Sequence, residues 1–186
     1  FTVDRSLRFN DDDSPFLNRT PSSAGNRKTW TWSAWIKRGE LGATQSRLFG
    51  GGVTSTDYFE FYFPSGDQFR VIWYESGETL STTTTVFRDP SAWYHFVVAV
   101  DTTQSTAADR IKIYANGVLQ ERSSTNPSQD FDTSVNNTVE HNIGKYLTGS
   151  AGNYFDGYMA EINFVDGSQL TPASFGETNP ITGQWN

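Results

Sequence analysis

Apolar and polar residues alternate along much of this chain, and the repeat is two. In Thr29–Lys37, Trp30, Trp32, Ala34 and Ile36 fall on one face, and Thr31, Ser33, Trp35 and Lys37 on the other. A repeat of two is that of an extended strand, so the first set is assigned to the core. Trp35 then needs cover on the opposite face, which predicts an interior strand. Tyr58–Phe63 puts Phe59, Phe61 and Phe63 in register, and Gln68–Tyr74 does the same with Phe69, Val71 and Trp73. Between them, Pro64-Ser65-Gly66-Asp67 predicts a hairpin turn, with Pro64 fixing φ and Gly66 supplying a positive φ. The Thr-rich run Thr79–Val86 suits a pleated surface. Trp93–Val100 is almost wholly apolar, broken only by His95, which fits a strand covered on both faces. Asn116-Gly117 separates Ile111–Tyr114 from Val118–Gln120 and is the strongest short hairpin signal in the chain. Tyr154–Val165 carries Phe155, then Tyr158, Ala160, Ile162 and Phe164 at alternate positions, with Gly157 marking a bulge or bend.

With Ser6–Asn10 at the start, followed by the acidic turn Asp11-Asp12-Asp13-Ser14-Pro15, the chain holds about ten to twelve strands. No stretch has convincing helical periodicity, and only Pro172–Phe175 reads as a short helical turn. The expected fold is all-β: a two-sheet antiparallel jelly-roll sandwich, because so long a meander must bury its apolar faces against a second sheet. No composition shift or internal repeat divides the chain, so residues 1–186 are read as a single domain.

Composition narrows the partners. Aromatic residues make up 15% of the chain, so the core leans on large rings. The formal net charge is −7 and the isoelectric point about 4.7. A nucleic-acid binder needs a basic footprint, so no nucleic acid is expected as a partner. No run is long and apolar enough for membrane insertion. Cysteine is absent, which excludes disulfides and thiolate metal sites. The chain starts at Phe1 without the apolar stretch of a signal peptide, and it reads as a piece of a longer protein.

The order of these elements carries a resemblance. Trp93-Tyr94-His95-Phe96-Val97-Val98-Ala99-Val100-Asp101, Ile113-Tyr114-Ala115-Asn116-Gly117, Ile143-Gly144 and Tyr154-Phe155-Asp156-Gly157-Tyr158-Met159-Ala160-Glu161-Ile162 together resemble the concanavalin A-like lectin/glucanase superfamily, in its laminin-G and pentraxin-like branch. Thr31-Trp32-Ser33-Ala34-Trp35-Ile36-Lys37 resembles that branch's early core strand. The likeness spans roughly residues 5 to 166. A narrower likeness, in Arg5-Ser6-Leu7-Arg8-Phe9-Asn10, in Arg19–Trp32 and in Phe155-Asp156-Gly157-Tyr158 through Asp166-Gly167, is to domains of bacteriophage tail-fibre or other virion surface proteins. Leu170–Glu177 extends it. That resemblance implies a virion-surface, extracellular location, contact with other virion proteins, and a homotrimer formed through the parent protein.

Three kinds of chemistry follow. The resembled glucanases carry Glu-x-Asp-x-x-Glu or Glu-x-Asp-x-Glu on one strand, which aims an acid and a nucleophile into one groove. Here Glu60, Glu75, Glu78 and Glu161 lack a second Glu at that spacing, and Glu161 and Asp166 differ by an odd number, which sends them to opposite faces unless a bulge intervenes. His95 reads as a core residue and His141 as a strand-edge residue, and neither sits in a nucleophile motif. The cofactor reading is calcium or none: the resemblance implies a calcium ion at the sandwich edge, for which Asp11, Asp12, Asp13, Asp57, Asp101, Asp109 and Asp156 are candidates, with Asp13 and Asp156 assigned as its ligands. A glycan needs an aromatic platform beside polar groups. Tyr58, Tyr62 and Tyr74 lie on the face opposite the core set, Tyr146 and Tyr154 flank the loop Leu147–Asn153, and these five are the candidate ligand contacts. The expected function is a non-catalytic module binding a host-surface glycan or receptor. A structural virion domain without a ligand, and a glycan-cleaving enzyme, are the alternatives.

Overall fold

The computed structural model describes residues 5–43, 45–147 and 153–186. Among them twelve strands form two antiparallel sheets of six. They are β1 (Leu7–Phe9), β2 (Leu17–Arg19), β3 (Thr29–Arg38), β4 (Gln45–Thr54), β5 (Asp57–Pro64), β6 (Gln68–Tyr74), β7 (Glu78–Val86), β8 (Tyr94–Asp101), β9 (Ile111–Ala115), β10 (Val118–Leu119), β11 (His141–Ile143) and β12 (Gly157–Asp166). The first sheet has the order β1-β12-β3-β8-β9-β10, and the second β2-β11-β4-β5-β6-β7. No described helix is long and apolar enough to cross a membrane.

Alternation places the core as the sequence predicts. Trp30, Trp32, Ala34 and Ile36 of β3 meet Phe59, Phe61 and Phe63 of β5 and Phe69, Val71 and Trp73 of β6 between the sheets, all buried. Phe69 stacks on Phe96 of β8 with centroids 4.6 Å apart, so the two sheets interlock through offset rings. The Asn116-Gly117 turn takes φ of 48° and 80°, as a two-residue hairpin of right-handed twist requires. In the β5–β6 turn the positive φ (62°) falls on Asp67 rather than on Gly66, because Asp67 is held there by its side-chain bonds.

Two features differ from the sequence reading. Strand β4 was not expected, since Gly50-Gly51-Gly52 carries no β-propensity. The glycines have a packing reason: the Glu60 side chain lies over Gly50, and the His141 ring over Gly51, so close that a Cβ would collide with each. The bulge in β12 is also displaced. Gly157 opens the strand, and the register shifts later, between Ala160 and Asn163, where Glu161 takes φ 49°. Met159 therefore packs in the core while Tyr158 faces solvent, and after the bulge Ile162 and Phe164 return to the core side.

The outer face of the first sheet is covered by the C-terminal segment. Thr31 donates its hydroxyl to the Ser168 carbonyl at 2.6 Å and accepts from the Leu170 N–H at 2.8 Å. Past the 3-10 turn Pro172–Ser174, the Trp185 ring stacks on His95 at 5.7 Å and donates its Nε1–H to His95 Nδ1 at 3.0 Å. This explains how Thr31, Ser33, His95, Val97 and Ala99, all on the outward side, are nonetheless buried.

Candidate functional site

Strand β1 pairs with β12 only at Gly157–Met159, so the part of β12 after the bulge forms a rim of the first sheet. Strands β2 and β11 form the facing rim of the second. Between the rims lies a cleft of about 520 Å³. Its floor is Phe49, Ile143 and Phe164. The Phe164 ring stacks on Trp30 at 5.8 Å with 28° between planes, which fixes its orientation from below. It remains 39% exposed, so one face of a rigidly supported ring is open. Asn18 and Arg19 stand on one lip, Asn136 and Asp166 on the other. The second lip is preorganised. Asp166 Oδ1 accepts from the Asn26 N–H at 2.8 Å and from Asn136 Nδ2 at 2.6 Å. The Asn136 N–H donates to His141 Nε2 at 2.8 Å, which leaves the ring proton on Nδ1 to donate to the Val139 carbonyl at 2.8 Å. Burial pushes the His141 pKa down and the Arg19 charge adds to this, outweighing the Val139 bond, so the ring is neutral at pH 7.

The predicted tyrosines gather elsewhere, on the outer face of the second sheet. There the Arg47 guanidinium is sandwiched between the Tyr62 ring at 4.0 Å and the Tyr146 ring at 4.4 Å. Its Nη1 donates to Glu60 Oε2 at 2.7 Å, and Glu60 Oε1 accepts from the Leu147 N–H at 3.0 Å. Tyr58 donates its hydroxyl to Glu78 at 2.8 Å and packs against Tyr74, ring centroids 6.2 Å apart. Burial, then the Glu78 bond, push the Tyr58 pKa well up. Tyr58, Tyr62, Tyr74 and Tyr146 thus converge, whereas Tyr154, half-buried, joins none of these ring contacts. Tyr58 and Tyr62 are only 6% and 3% exposed. Their rings serve packing and offer no open face, which corrects the expectation of a platform there. Residues 148–152 of the predicted loop lie outside the described residues.

Residues 12–174 match the laminin G family model of the concanavalin A-like lectin/glucanases superfamily. The chain belongs to this superfamily. No curated protein sequence matches it. Among solved structures it is similar to domain 4 of AbnA, an extracellular GH43 arabinanase from Geobacillus stearothermophilus solved with arabinotriose (18% identity, TM-score 0.60, 82% of this chain and 66% of that one). It is also similar to domains LG4-5 of the mouse laminin α1 chain (13%, TM-score 0.63, 90% and 43%). A third is the CBM40 of the Ruminococcus gnavus IT-sialidase bound to α2,3-sialyllactose (16%, TM-score 0.55, 83% and 92%). The chain spans less than two thirds of the arabinanase and laminin structures. At these identities the likeness concerns the fold.

Within this lectin/glucanase fold, Glu161 and Asp166, the nearest candidates for a carboxylate pair, stand apart. A bulge does intervene between Glu161 and Asp166, yet it leaves them in different hollows: Asp166 lines the rim cleft, and Glu161 lines a separate one beside Met159 and Ile162. Glu60 is buried and engaged by Arg47. Glu75 accepts from the Trp73 Nε1–H and the Ser128 N–H. His95 has its Nδ1 occupied by Trp185, and His141 opens β11, at the strand end where the sequence places it.

The two predicted calcium ligands do not converge either. Asp13 is exposed and accepts from Asn10 Nδ2 at 2.7 Å. The acidic neighbours of Asp156 are Asp11 and Asp12; burial and then Asp11 raise its pKa, with Arg8 opposing. Among the described residues no group of three or more His, Cys, Asp or Glu is placed to hold a metal ion, so carboxylates alone supply no calcium cage here. Chelation with EDTA is therefore expected to leave the melting temperature unchanged. A fall of several degrees, restored by added calcium, would show a site that these side chains do not reveal.

The cleft residue that the sequence pattern does not single out is Phe164. Alternation groups it with the inward strand set, and the displaced bulge that leaves it at an open rim has no signature in the side-chain pattern. Arg19 falls within a family-like segment, and its strand is three residues long.

Proposed function

We propose that this domain is a non-catalytic carbohydrate-binding module that takes a host-surface glycan in the rim cleft. The observation that carries the reading is the Phe164 ring, supported from below by Trp30, open on its other face, and flanked by hydrogen-bonding side chains on both lips. The apolar face of a sugar stacks on such a ring while Arg19, Asn136 and Asp166 meet its hydroxyls. A volume of about 520 Å³ suits one or two sugar units. Structures of the same fold were solved with arabinotriose and with sialyllactose, which supports a glycan as ligand. The separated carboxylates support binding without cleavage.

The narrower part of the reading rests on resemblance: the module belongs to a bacteriophage tail fibre or similar virion appendage, works outside the cell beside other virion proteins, and is brought to a homotrimer by its parent chain. An assembly role is the second reading. It is favoured by Val86, Val118 and Leu119, which are 42%, 64% and 56% exposed along the opposite rim.

The test is an oligosaccharide array probed with the domain, followed by incubation of each bound glycan with it. Binding to a subset of glycans is expected, with no new reducing ends. Release of reducing ends overturns the non-catalytic reading, and an array without any bound glycan overturns the carbohydrate reading in favour of assembly.

A further inference from the structure

The cleft floor is neutral. Phe49, Ile143 and Phe164 are apolar, and both ring nitrogens of His141 are spent on the Asn136 N–H and the Val139 carbonyl. On the Asp166 lip, carboxylate Oδ1 is already taken by the Asn26 N–H and Asn136 Nδ2. The other lip is different. Arg19 is directly opposite His141 in the β2–β11 ladder, so its side chain rises on the same side of the sheet, and it lines the cleft. It forms no ion pair and no hydrogen bond with any described side chain or carbonyl. The chain's buried and half-buried arginines behave otherwise. Arg38 is tied to Asp67, Arg47 to Glu60, Arg110 to backbone carbonyls, and Arg122 to carbonyls and Asn126. An uncommitted guanidinium beside an apolar floor has five donors in a planar fork, and the group that fork matches best is a carboxylate.

We infer that the ligand of this cleft is an acidic sugar, with its carboxylate held by Arg19 and its apolar face on Phe164. The inference rests on the carbohydrate reading and sharpens it. The geometry also sets the orientation. The charged group of the sugar lies toward β2, and its neutral hydroxyls point toward Asn136 and the carboxylate of Asp166, which would repel a second anion. A sugar with one carboxylate fits this polarity, and a polyanionic or phosphorylated one does not. The overall charge of −7 makes the same demand, because anionic ligands are repelled at long range and only a local bidentate contact offsets this.

The experiment compares matched sugars on the full chain by isothermal titration calorimetry: α2,3-sialyllactose against lactose, and methyl galacturonoside, with one carboxylate, against methyl galactoside. In at least one pair the acidic member is expected to bind about tenfold tighter or more, and Arg19→Gln is expected to bring it down to its neutral partner. Arg19 is exposed, so the variant should melt as the wild type does, and the loss is then one of recognition. Equal affinity within both pairs, tighter binding of the neutral members, or an acidic preference that survives Arg19→Gln overturns the inference and leaves the carbohydrate reading standing. If neither pair binds while other array glycans do, the acidic class is likewise overturned. If no sugar binds in either format, it is the carbohydrate reading itself that fails.

Discussion

Replacing Asp67 with asparagine is expected to lower the stability of the fold by about 3–5 kcal/mol. Asp67 sits at the β5–β6 turn and is 4% exposed. Its Oδ1 accepts from Arg38 Nη2 at 2.9 Å and from the Gly42 N–H at 2.8 Å, and its Oδ2 accepts from Arg88 Nε at 2.9 Å. Burial alone would raise its pKa, but the bonds from Gly42, Arg88 and Arg38 outweigh it and hold the carboxyl below its usual range. The Arg38 side chain is 1% exposed and also donates to the Phe87 carbonyl at 2.7 Å. Losing the carboxylate leaves that guanidinium buried without a counter-charge, which is the costly case. Asparagine tolerates the positive φ at this position, so the change isolates the charge. Arg88, whose side chain is 59% exposed, contributes much less, and Arg88→Ala should cost under about 1 kcal/mol. Urea unfolding of both variants measures this, and an Asp67→Asn loss no larger than that of Arg88→Ala contradicts it. Because the folded pKa of Asp67 is depressed, its stabilising share is present above the unfolded carboxylate range and fades as pH falls through the folded value.

Acidification should act earlier, at His95. Burial lowers its pKa from 6.5 to about 4. The folded state therefore keeps the ring neutral over a range in which the unfolded chain is already protonated. The unfolded state binds more protons between these values, so stability is full above pH 6.5 and falls as pH drops toward 4. The loss over that window is about 3 kcal/mol. The structural reason is specific. His95 Nδ1 accepts the indole N–H of Trp185, and a protonated imidazole has no acceptor left to offer. The contact that pins the C-terminal segment over the first sheet is then lost. His95→Gln removes the titrating ring, so its stability should change much less between pH 6.5 and pH 4. Equal pH slopes for wild type and variant would sink this account of His95.

How much of this was legible beforehand depends on the length of the pattern. Trp30 to Ile36, Phe59 to Phe63 and Phe69 to Trp73 alternate over whole strands, so their inward face was readable and the sandwich followed. Trp35 even announced that the other face of β3 must be covered, though the cover, a twenty-residue tail ending near Trp185, carries no periodicity of its own. Strand β4 was hidden by its three glycines, whose value lies in what packs over them. The site was harder still. Tyr58 and Tyr62 were correctly placed on the outward face, but alternation says nothing about what lies on top, and Arg47 and Glu60 turned that face into a second buried cluster. Phe164 and Arg19 come from strands far apart in sequence and meet only because the β12 bulge and the short β2–β11 rim leave the sandwich open between them.

The most direct measurement is a backbone-amide NMR titration with the oligosaccharide that binds best on the array, run on the wild type and on Phe164→Ala. The expected shifts centre on Arg19, Phe49, Asn136, Phe164 and Asp166, and the variant should weaken binding by about tenfold or more. Shifts that gather instead around Tyr74 and Tyr146, or an affinity unchanged in Phe164→Ala, would contradict a glycan site in the rim cleft.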